Sequence, residues 1–119
     1  MSRISRMLIG AAIGAFAAHA ACADTTEQRL AFGAGPSASC GAWTKARQSK
    51  TAQPAEQWVA GYLSGVNTTS DEPDTLMGTD WDGVMTWMDN YCEARPLDKI
   101  VLAAIKLVQH LRANAKGQQ

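Results

Sequence analysis

Beyond about residue 39, apolar side chains recur every three or four positions, as they do on one face of an α-helix. The clearest run contains Trp81, Val84, Met85, Met88, Tyr91 and Cys92. No segment alternates apolar and polar residues for long enough to form a β-strand. The pattern therefore predicts an all-α fold, a small bundle of three to four helices.

Capping residues and prolines predict where these helices begin and end. Ser39 is predicted to cap a short first helix, and the second is expected over residues 53–67. Thr79 is expected to open a third helix, which stops before Pro96 because the residue preceding a proline avoids helical geometry. Pro96 is then expected to start the last helix.

Two glycines, Gly61 and Gly65, lie four residues apart inside the predicted second helix. A glycine within a helix costs about 1 kcal/mol relative to alanine, so some other interaction has to offset the pair. We expect a groove in which another helix backbone packs closely against them.

Residues 1–23 follow the three-part plan of a secretory signal peptide. Arg3 and Arg6 form the positive start, an uncharged core follows over residues 7–18, and two A-x-A cleavage sites end the segment. The core is shorter than the ~20 residues that a bilayer span requires. We expect cleavage after Ala23 and export to the bacterial periplasm.

The alternative is a lipoprotein acylated on Cys22. Bacterial lipoproteins usually carry a bulky aliphatic residue three positions before that cysteine, where this chain has His19. Cleavage after Ala23 would instead leave Cys22 in the leader. We therefore expect four segments: a signal peptide (1–23), a flexible Gly- and Ala-rich arm (24–38), a helical domain (39–113) and a tail (114–119).

The mature chain keeps two cysteines, Cys40 and Cys92. Two cysteines in an oxidising compartment allow one connectivity, so a disulfide between them is predicted. The alternative is a pair of free thiols in a redox or metal site, but the chain has no C-x-x-C motif.

Charge excludes two classes of partner. The chain has 11 basic and 11 acidic residues, and removal of Arg3 and Arg6 with the leader gives a mature net charge of −2. A nucleic-acid-binding footprint would be basic, and an anionic membrane surface attracts polybasic segments. Protein partners are therefore expected rather than nucleic acid or membrane.

Catalytic chemistry has few candidate residues in the mature chain. Its single histidine, His110, lies on the polar side of the last predicted helix, and no motif supports a Ser/His/Asp or Cys/His nucleophile. Zinc would need several His or Cys ligands, and the acidic run over 71–82 lacks the ligand order of an EF-hand. We expect no enzyme activity, no cofactor and no metal.

The aromatic and methionine content is high for about 96 mature residues. Faces rich in methionine and aromatic residues make adaptable binding surfaces. The hypothesis is a helical binding module, which could form a homodimer. Its candidate binding surface comprises Trp58, Tyr62, Trp81, Met85, Trp87 and Met88.

Three strings carry a resemblance to known exported proteins: Ser39-Cys40-Gly41-x-Trp43, Trp58-Val59-x-Gly61-Tyr62-Leu63-Ser64-Gly65, and Trp87-x-x-x-Tyr91-Cys92 leading into Pro96-Leu97. Over about residues 39–112 the chain resembles small helical proteins grouped with the HdeA/HdeB periplasmic acid-stress chaperones. The resemblance implies that acid exposes apolar surface, which then binds unfolding client proteins. Protonation of all 11 carboxylates would move the mature charge from −2 to +9, or to +10 with His110.

A second resemblance is to the Tai family of immunity proteins, which protect against type VI secreted amidases. Its basis is the stretch Gly61-Tyr62-Leu63-Ser64-Gly65-Val66 between the two cysteines. This resemblance implies a rigid surface that plugs the cleft of one folded effector at neutral pH, with the 71–82 loop and Trp87 as contacts. A third possibility is an envelope protein with neither activity.

Overall fold

The computed structural model describes residues 31–33 and 35–117. Within this part the chain forms four helices and no strand, which confirms the predicted all-α class. The predicted signal peptide and its cleavage site, Cys22 and most of the predicted arm lie outside the described residues. The helices are α1 (Cys40–Gln48), α2 (Gln53–Thr69), α3 (Trp81–Ala94) and α4 (Ile100–Gly117).

A single hydrophobic core joins the four helices. Its largest fully buried side chains come from α1, α3 and α4, namely Trp43, Met88, Ile100 and Leu107. α2 adds Val59 to the same cluster. In the described part of the chain no helix is long and apolar enough to cross a bilayer.

The predicted disulfide is present between Cys40, the first residue of α1, and Cys92, near the end of α3. Both cysteines are fully buried. The bond closes a loop of 52 residues, and restriction of the unfolded chain by a loop of that length stabilises a fold by about 4 kcal/mol. It therefore fixes α1 against α3 whatever the pH.

The start of α4 is capped by main-chain carbonyls from the segment before α1. The amide of Ile100 donates to the Ala38 carbonyl at 3.0 Å, and that of Val101 donates to the Pro36 carbonyl at 3.1 Å. Gly35 begins the turn, with φ +107° and so little room that a Cβ would come within 2.9 Å of another side chain. Residues 35–38 of the predicted flexible arm thus belong to the folded domain, because α4 uses their carbonyls to satisfy its first amides.

The segment before α4 caps α1 in return. Cys40 donates its amide to the Asp98 carbonyl at 2.7 Å, and Gly41 donates to the Pro96 carbonyl at 2.9 Å. The prediction that Pro96 starts the last helix is therefore wrong. Residues 96–99 form a turn that serves α1, and α4 begins at Ile100.

The other helix starts confirm one predicted cap and replace another. Ser39 caps α1, with its hydroxyl accepting from the amide of the third residue of the helix at 3.2 Å. α3 is capped by Asp80 rather than Thr79, because the Asp80 carboxylate accepts from the Gly83 amide at 2.6 Å. Thr79 instead donates its amide to the Leu76 carbonyl in the preceding turn.

The two glycines of α2 were expected to form a groove for another helix, and the described part of the chain places no helix there. Gly61 and Gly65 are both exposed, and a Cβ built on either would meet nothing within 4 Å. Among the described residues no helix packs against them, because α2 turns Val59 and Leu63 toward the core and the glycines away from it.

Candidate functional site

Three helices meet at a charged cluster centred on Arg47, which we call the Arg47 cluster: Trp43, Arg47, Glu56 and Asp89. Arg47 Nε and Nη2 donate to the two carboxylate oxygens of Asp89 at 3.0 and 2.9 Å. Arg47 Nη1 donates to Glu56 Oε1 at 2.6 Å. One side chain of α1 thus binds α3 through a two-point contact and α2 through a third hydrogen bond.

The same cluster reaches the core through Trp43. The indole Nε1 of Trp43 donates to Asp89 Oδ1 at 2.8 Å, while the residue is only 1% exposed. A buried indole N–H without a partner would be costly. Asp89 therefore accepts hydrogen bonds both from Trp43, the largest core side chain, and from the guanidinium of Arg47.

The electrostatics of the cluster are set by its carboxylates. Arg47 donates hydrogen bonds to Asp89 and Glu56, and these bonds, first those to Asp89, raise the pKa of Arg47 above its ordinary value. Arg47 therefore stays positive throughout the accessible pH range, and only protonation of a carboxylate can remove an ion pair here. Because the three side chains are 20–38% exposed, solvent screening limits the whole cluster to about 2 kcal/mol of stabilisation.

A second feature is a row of stacked side chains between α3 and α4. Trp87 stacks on Tyr91 with ring centroids 5.1 Å apart. The His110 ring is tilted against Trp87, with ring centroids 5.8 Å apart. Arg95 lies 4.8 Å from the Tyr91 ring centroid, and the Tyr91 hydroxyl donates to Asp98 at 2.8 Å. Burial, and then this hydrogen bond, raise the pKa of Tyr91.

The third feature is a side of α2 that flanks its core-facing side, which we call the outer face of α2: Trp58, Gly61, Tyr62 and Gly65. Trp58 and Tyr62 are partly buried against the core, whereas the two glycines are exposed. Trp58 and Tyr62 stack with centroids 5.4 Å apart, and Trp58 Nε1 donates to the Phe32 carbonyl at 2.9 Å. Burial raises the pKa of Tyr62. An open groove of about 400 Å³ lies here, lined by Ala31, Phe32, Gln57, Trp58, Gly61 and Tyr62.

Side-chain hydrogen bonds of Asn67, near the end of α2, order the loop between α2 and α3. Asn67 donates to Asp74 Oδ1 at 2.9 Å and accepts the Thr75 amide at 2.8 Å. Beyond this hydrogen-bonded turn, Met77 is 66% exposed and Trp81 is 41% exposed. Two large apolar side chains, Met77 in the loop and Trp81 at the start of α3, are therefore exposed next to a hydrogen-bonded turn.

The structure separates the six residues of the predicted binding surface. Trp58 and Tyr62 are half-buried on α2, whereas Trp87 is half-buried in the row with His110. Trp81 is exposed at the start of α3. The two methionines, Met85 and Met88, are 5% and 0% exposed and belong to the core, so they offer no surface while the chain is folded.

Sequence reasoning missed the Arg47 cluster altogether. Arg47 and Asp89 lie 42 residues apart and neither belongs to a recognisable motif. The one available signal was Asp89 itself, a carboxylate one position after buried Met88 in a helix whose apolar stripe was otherwise clear. A charge at the edge of such a stripe needs a partner.

In the described residues, no group of three or more His, Cys, Asp or Glu side chains is placed to hold a metal ion. His110 contacts Asn114 at 3.1 Å and the Trp87 ring.

No family model matches the chain, and no curated protein and no solved structure shows significant similarity to it.

Proposed function

We propose that the protein is an exported, non-enzymatic acid-stress chaperone, which exposes apolar surface at low pH and binds unfolding client proteins. The observation that carries the proposal is the Arg47 cluster. It connects three helices at the edge of the core, and it depends on two carboxylates whose charge acid removes.

Acid weakens the Arg47 cluster and cannot strengthen it. Acid protonates carboxylates, and a protonated partner no longer attracts Arg47, which keeps its positive charge. Stability that rests on ionised carboxylates is present at neutral pH and is lost as the pH falls. The mature chain becomes strongly cationic over the same range, which opposes a compact state.

The disulfide limits how far the chain can open. It holds the start of α1 to the end of α3, so loss of the cluster frees α2 and the far end of α1 rather than the whole chain. A loss of about 2 kcal/mol is a large fraction of the ~5–10 kcal/mol that stabilises a small domain. The apolar side chains that become available include Trp43, Val59 and Leu63.

The direct test is suppression of light scattering by aggregating periplasmic extract at about pH 2–3. The oxidised protein is expected to suppress scattering at near-stoichiometric amounts in acid and to have no effect at pH 7. Absence of suppression in acid would remove the chaperone proposal.

The variant Asp89→Asn tests whether client binding depends on the Arg47 cluster. Asp89→Asn keeps the shape of the side chain but removes its charge, so we expect client binding to begin at a higher pH than in the wild type. Asp71→Asn, on the exposed loop, is the matched control and is expected to leave the onset unchanged.

The loop between α2 and α3 favours a second candidate, an immunity protein that inhibits a periplasm-acting amidase-like effector. The internal hydrogen bonds of Asn67 hold the loop in one conformation. Exposed Met77 and Trp81 are the kind of preorganised apolar anchors that dominate tight interfaces.

The two functions differ in the pH at which a partner binds. An inhibitor is expected to bind one folded effector at pH 7 and to lose affinity at least tenfold in Trp81→Ala, a hot-spot effect of ~1.4 kcal/mol or more. Broad client binding confined to acid would exclude this candidate.

A further inference from the structure

Two large apolar side chains are exposed on either side of the tight turn that precedes α3. Met77 is 66% exposed and Trp81 is 41% exposed. The Thr79 amide donates to the Leu76 carbonyl at 3.0 Å, and Gly78 has φ +74°, a conformation that glycine adopts readily and other residues rarely do. The two apolar side chains therefore leave the folded chain from a turn of defined geometry.

The surroundings of this apolar pair carry charge of one sign. Between Lys50 and Arg95 the sequence has eight acidic residues and no basic one. Five of these acidic residues lie within residues 71–82, and all five are exposed: Asp71, Glu72, Asp74, Asp80 and Asp82. We call the five carboxylates together with Met77 and Trp81 the Met77–Trp81 surface.

Ion pairs within the protein neutralise little of this charge. In the described part of the chain, the one ion pair of these five carboxylates joins Glu72 to Lys116 at 3.9 Å, and the two side chains are 48% and 68% exposed. Asp74 and Asp80 accept hydrogen bonds from main-chain amides, which orient their carboxylates without neutralising them. A partner would therefore meet carboxylates that are oriented and still charged.

We propose that the Met77–Trp81 surface binds a basic segment of another protein at neutral pH, one that carries both apolar side chains and lysine or arginine. The apolar side chains of that segment cover Met77 and Trp81, and its basic side chains pair with the surrounding carboxylates. Tryptophan is among the residues that contribute most to binding at interfaces, and methionine adapts its shape to different partners.

Charge decides among the possible occupants of this surface. A second copy of the same surface would bring five more carboxylates against the first five, and like charges across an interface cost free energy. Nucleic acid and anionic lipid would be repelled for the same reason. A basic partner is the one that gains from both the apolar pair and the charge around it.

The contact has an apolar part and an ionic part, which respond differently to salt. At about 0.15 M salt the Debye length is about 8 Å, so exposed charges attract a partner only over short distances. We expect a Kd of about 10 µM under these conditions. The proposal rests on the same two anchors as the second candidate function and adds the chemistry of the partner, which need not be an effector.

The test is fluorescence anisotropy of short labelled peptides mixed with the oxidised exported protein at pH 7 and about 0.15 M salt. The first peptide is an amphipathic sequence of lysine and leucine, and it is expected to bind. A second peptide has glutamate in place of lysine, and a third has serine in place of leucine. Both are expected to bind at least about tenfold more weakly than the first.

Two variants locate the contact. Asp82→Lys reverses one charge of the surface, and Met77→Ser removes one apolar anchor at an exposed position. Each is expected to raise the Kd of the lysine–leucine peptide at least about fivefold. Met77→Ser is expected to leave the melting temperature unchanged, which separates lost contact from lost folding.

The matched control is Glu93→Lys, which reverses an exposed charge at the other end of α3. It lies about 16 Å along the helix from Asp82, or about two Debye lengths, and is expected to change the Kd less than about twofold.

Three outcomes would overturn the proposal. The first is a lysine–leucine peptide that does not bind. The second is equal binding of the serine-containing peptide, because the apolar pair would then have no role. The third is equal weakening by Asp82→Lys and Glu93→Lys, which would show attraction to the net charge alone. The peptides contain no effector, so these results are separate from the test of Trp81→Ala against a folded effector.

Discussion

The Arg47 cluster and the outer face of α2 use opposite sides of the same helix. Glu56, which binds Arg47, and Gly65, which faces outward, are nine residues apart and therefore about 180° apart around α2. One side holds the fold by charge and hydrogen bonds, so its strength depends on pH. The other side carries no charged side chain between residues 57 and 70, so it has no ionic contact for acid to remove.

The two sides of α2 therefore differ in their response to acid. Acid that protonates carboxylates weakens the ion pairs of Arg47 but leaves an uncharged face chemically unchanged. Variants on the Glu56 side of α2 are therefore expected to change the acid dependence of stability, whereas variants on the Gly65 side are not.

The largest expected effect comes from the disulfide, a covalent bond that does not depend on the charge of any side chain. Replacing both Cys40 and Cys92 by Ser is expected to lower the free energy of unfolding by about 4 kcal/mol, at pH 7 and in acid alike. Urea unfolding followed by circular dichroism measures the change. A loss below about 1 kcal/mol would show that the core holds α1 to α3 without the bond.

Arg47→Met is expected to have the next largest effect. It removes every hydrogen bond that Arg47 donates to Asp89 and Glu56 while keeping much of the aliphatic length of the side chain. We expect a loss of about 2 kcal/mol at pH 7. The difference from the wild type is expected to shrink in acid, because the ion pairs that the variant lacks require ionised carboxylates.

The control for this variant is Lys106→Met, which removes a positive charge from an exposed position of α4. It is expected to change the unfolding free energy by less than about 0.5 kcal/mol. A difference between Arg47→Met and the wild type that persists unchanged in acid would mean that packing, rather than charge, holds the cluster together.

Gly61→Ala is expected to act in the opposite direction on folding. The added Cβ meets nothing within 4 Å, so the variant gains helix propensity without a clash, up to about 1 kcal/mol. Thermal unfolding at concentrations that keep the chain monomeric isolates this gain. A destabilised monomer would mean that something packs on Gly61 within the single chain.

Much of the fold could be predicted from the sequence because helices leave local signals. The periodic apolar residues of α3, the Ser39 cap and the pairing of Cys40 with Cys92 all depend on patterns within one segment or on residue count. The start of α4 could not be predicted in this way. Its first amides are satisfied by main-chain carbonyls of Pro36 and Ala38, which any residue could supply.

The candidate sites were harder to predict, for a related reason. Arg47 meets Asp89 across 42 residues through side chains that look like ordinary surface charges in the sequence. Two residues of the predicted surface differ for another reason, since Met85 and Met88 satisfy the helical pattern but are buried in the core. Periodicity identifies an apolar stripe but does not distinguish a stripe that is covered from one that is exposed.

The smallest expected effect is a change in stability at alkaline pH, and it comes from Tyr62 on the outer face of α2. Burial raises the pKa of Tyr62 above its ordinary value of 10.0, so the folded state resists ionisation that the unfolded chain accepts. This contribution is complete below pH 10 and is lost as the pH rises further. Tyr62→Phe is therefore expected to match the wild type at pH 7 and to lose less stability above pH 10.

Tyr91→Phe is the informative comparison for Tyr62→Phe. The Tyr91 hydroxyl donates to Asp98, so its removal is expected to cost about 1 kcal/mol already at pH 7. Urea unfolding between pH 7 and pH 11 measures both variants. If Tyr62→Phe lost stability above pH 10 as steeply as the wild type, the Tyr62 hydroxyl would have to be as solvated in the fold as in the unfolded chain. The outer face of α2 would then be more hydrated at Tyr62 than the partial burial of this residue implies.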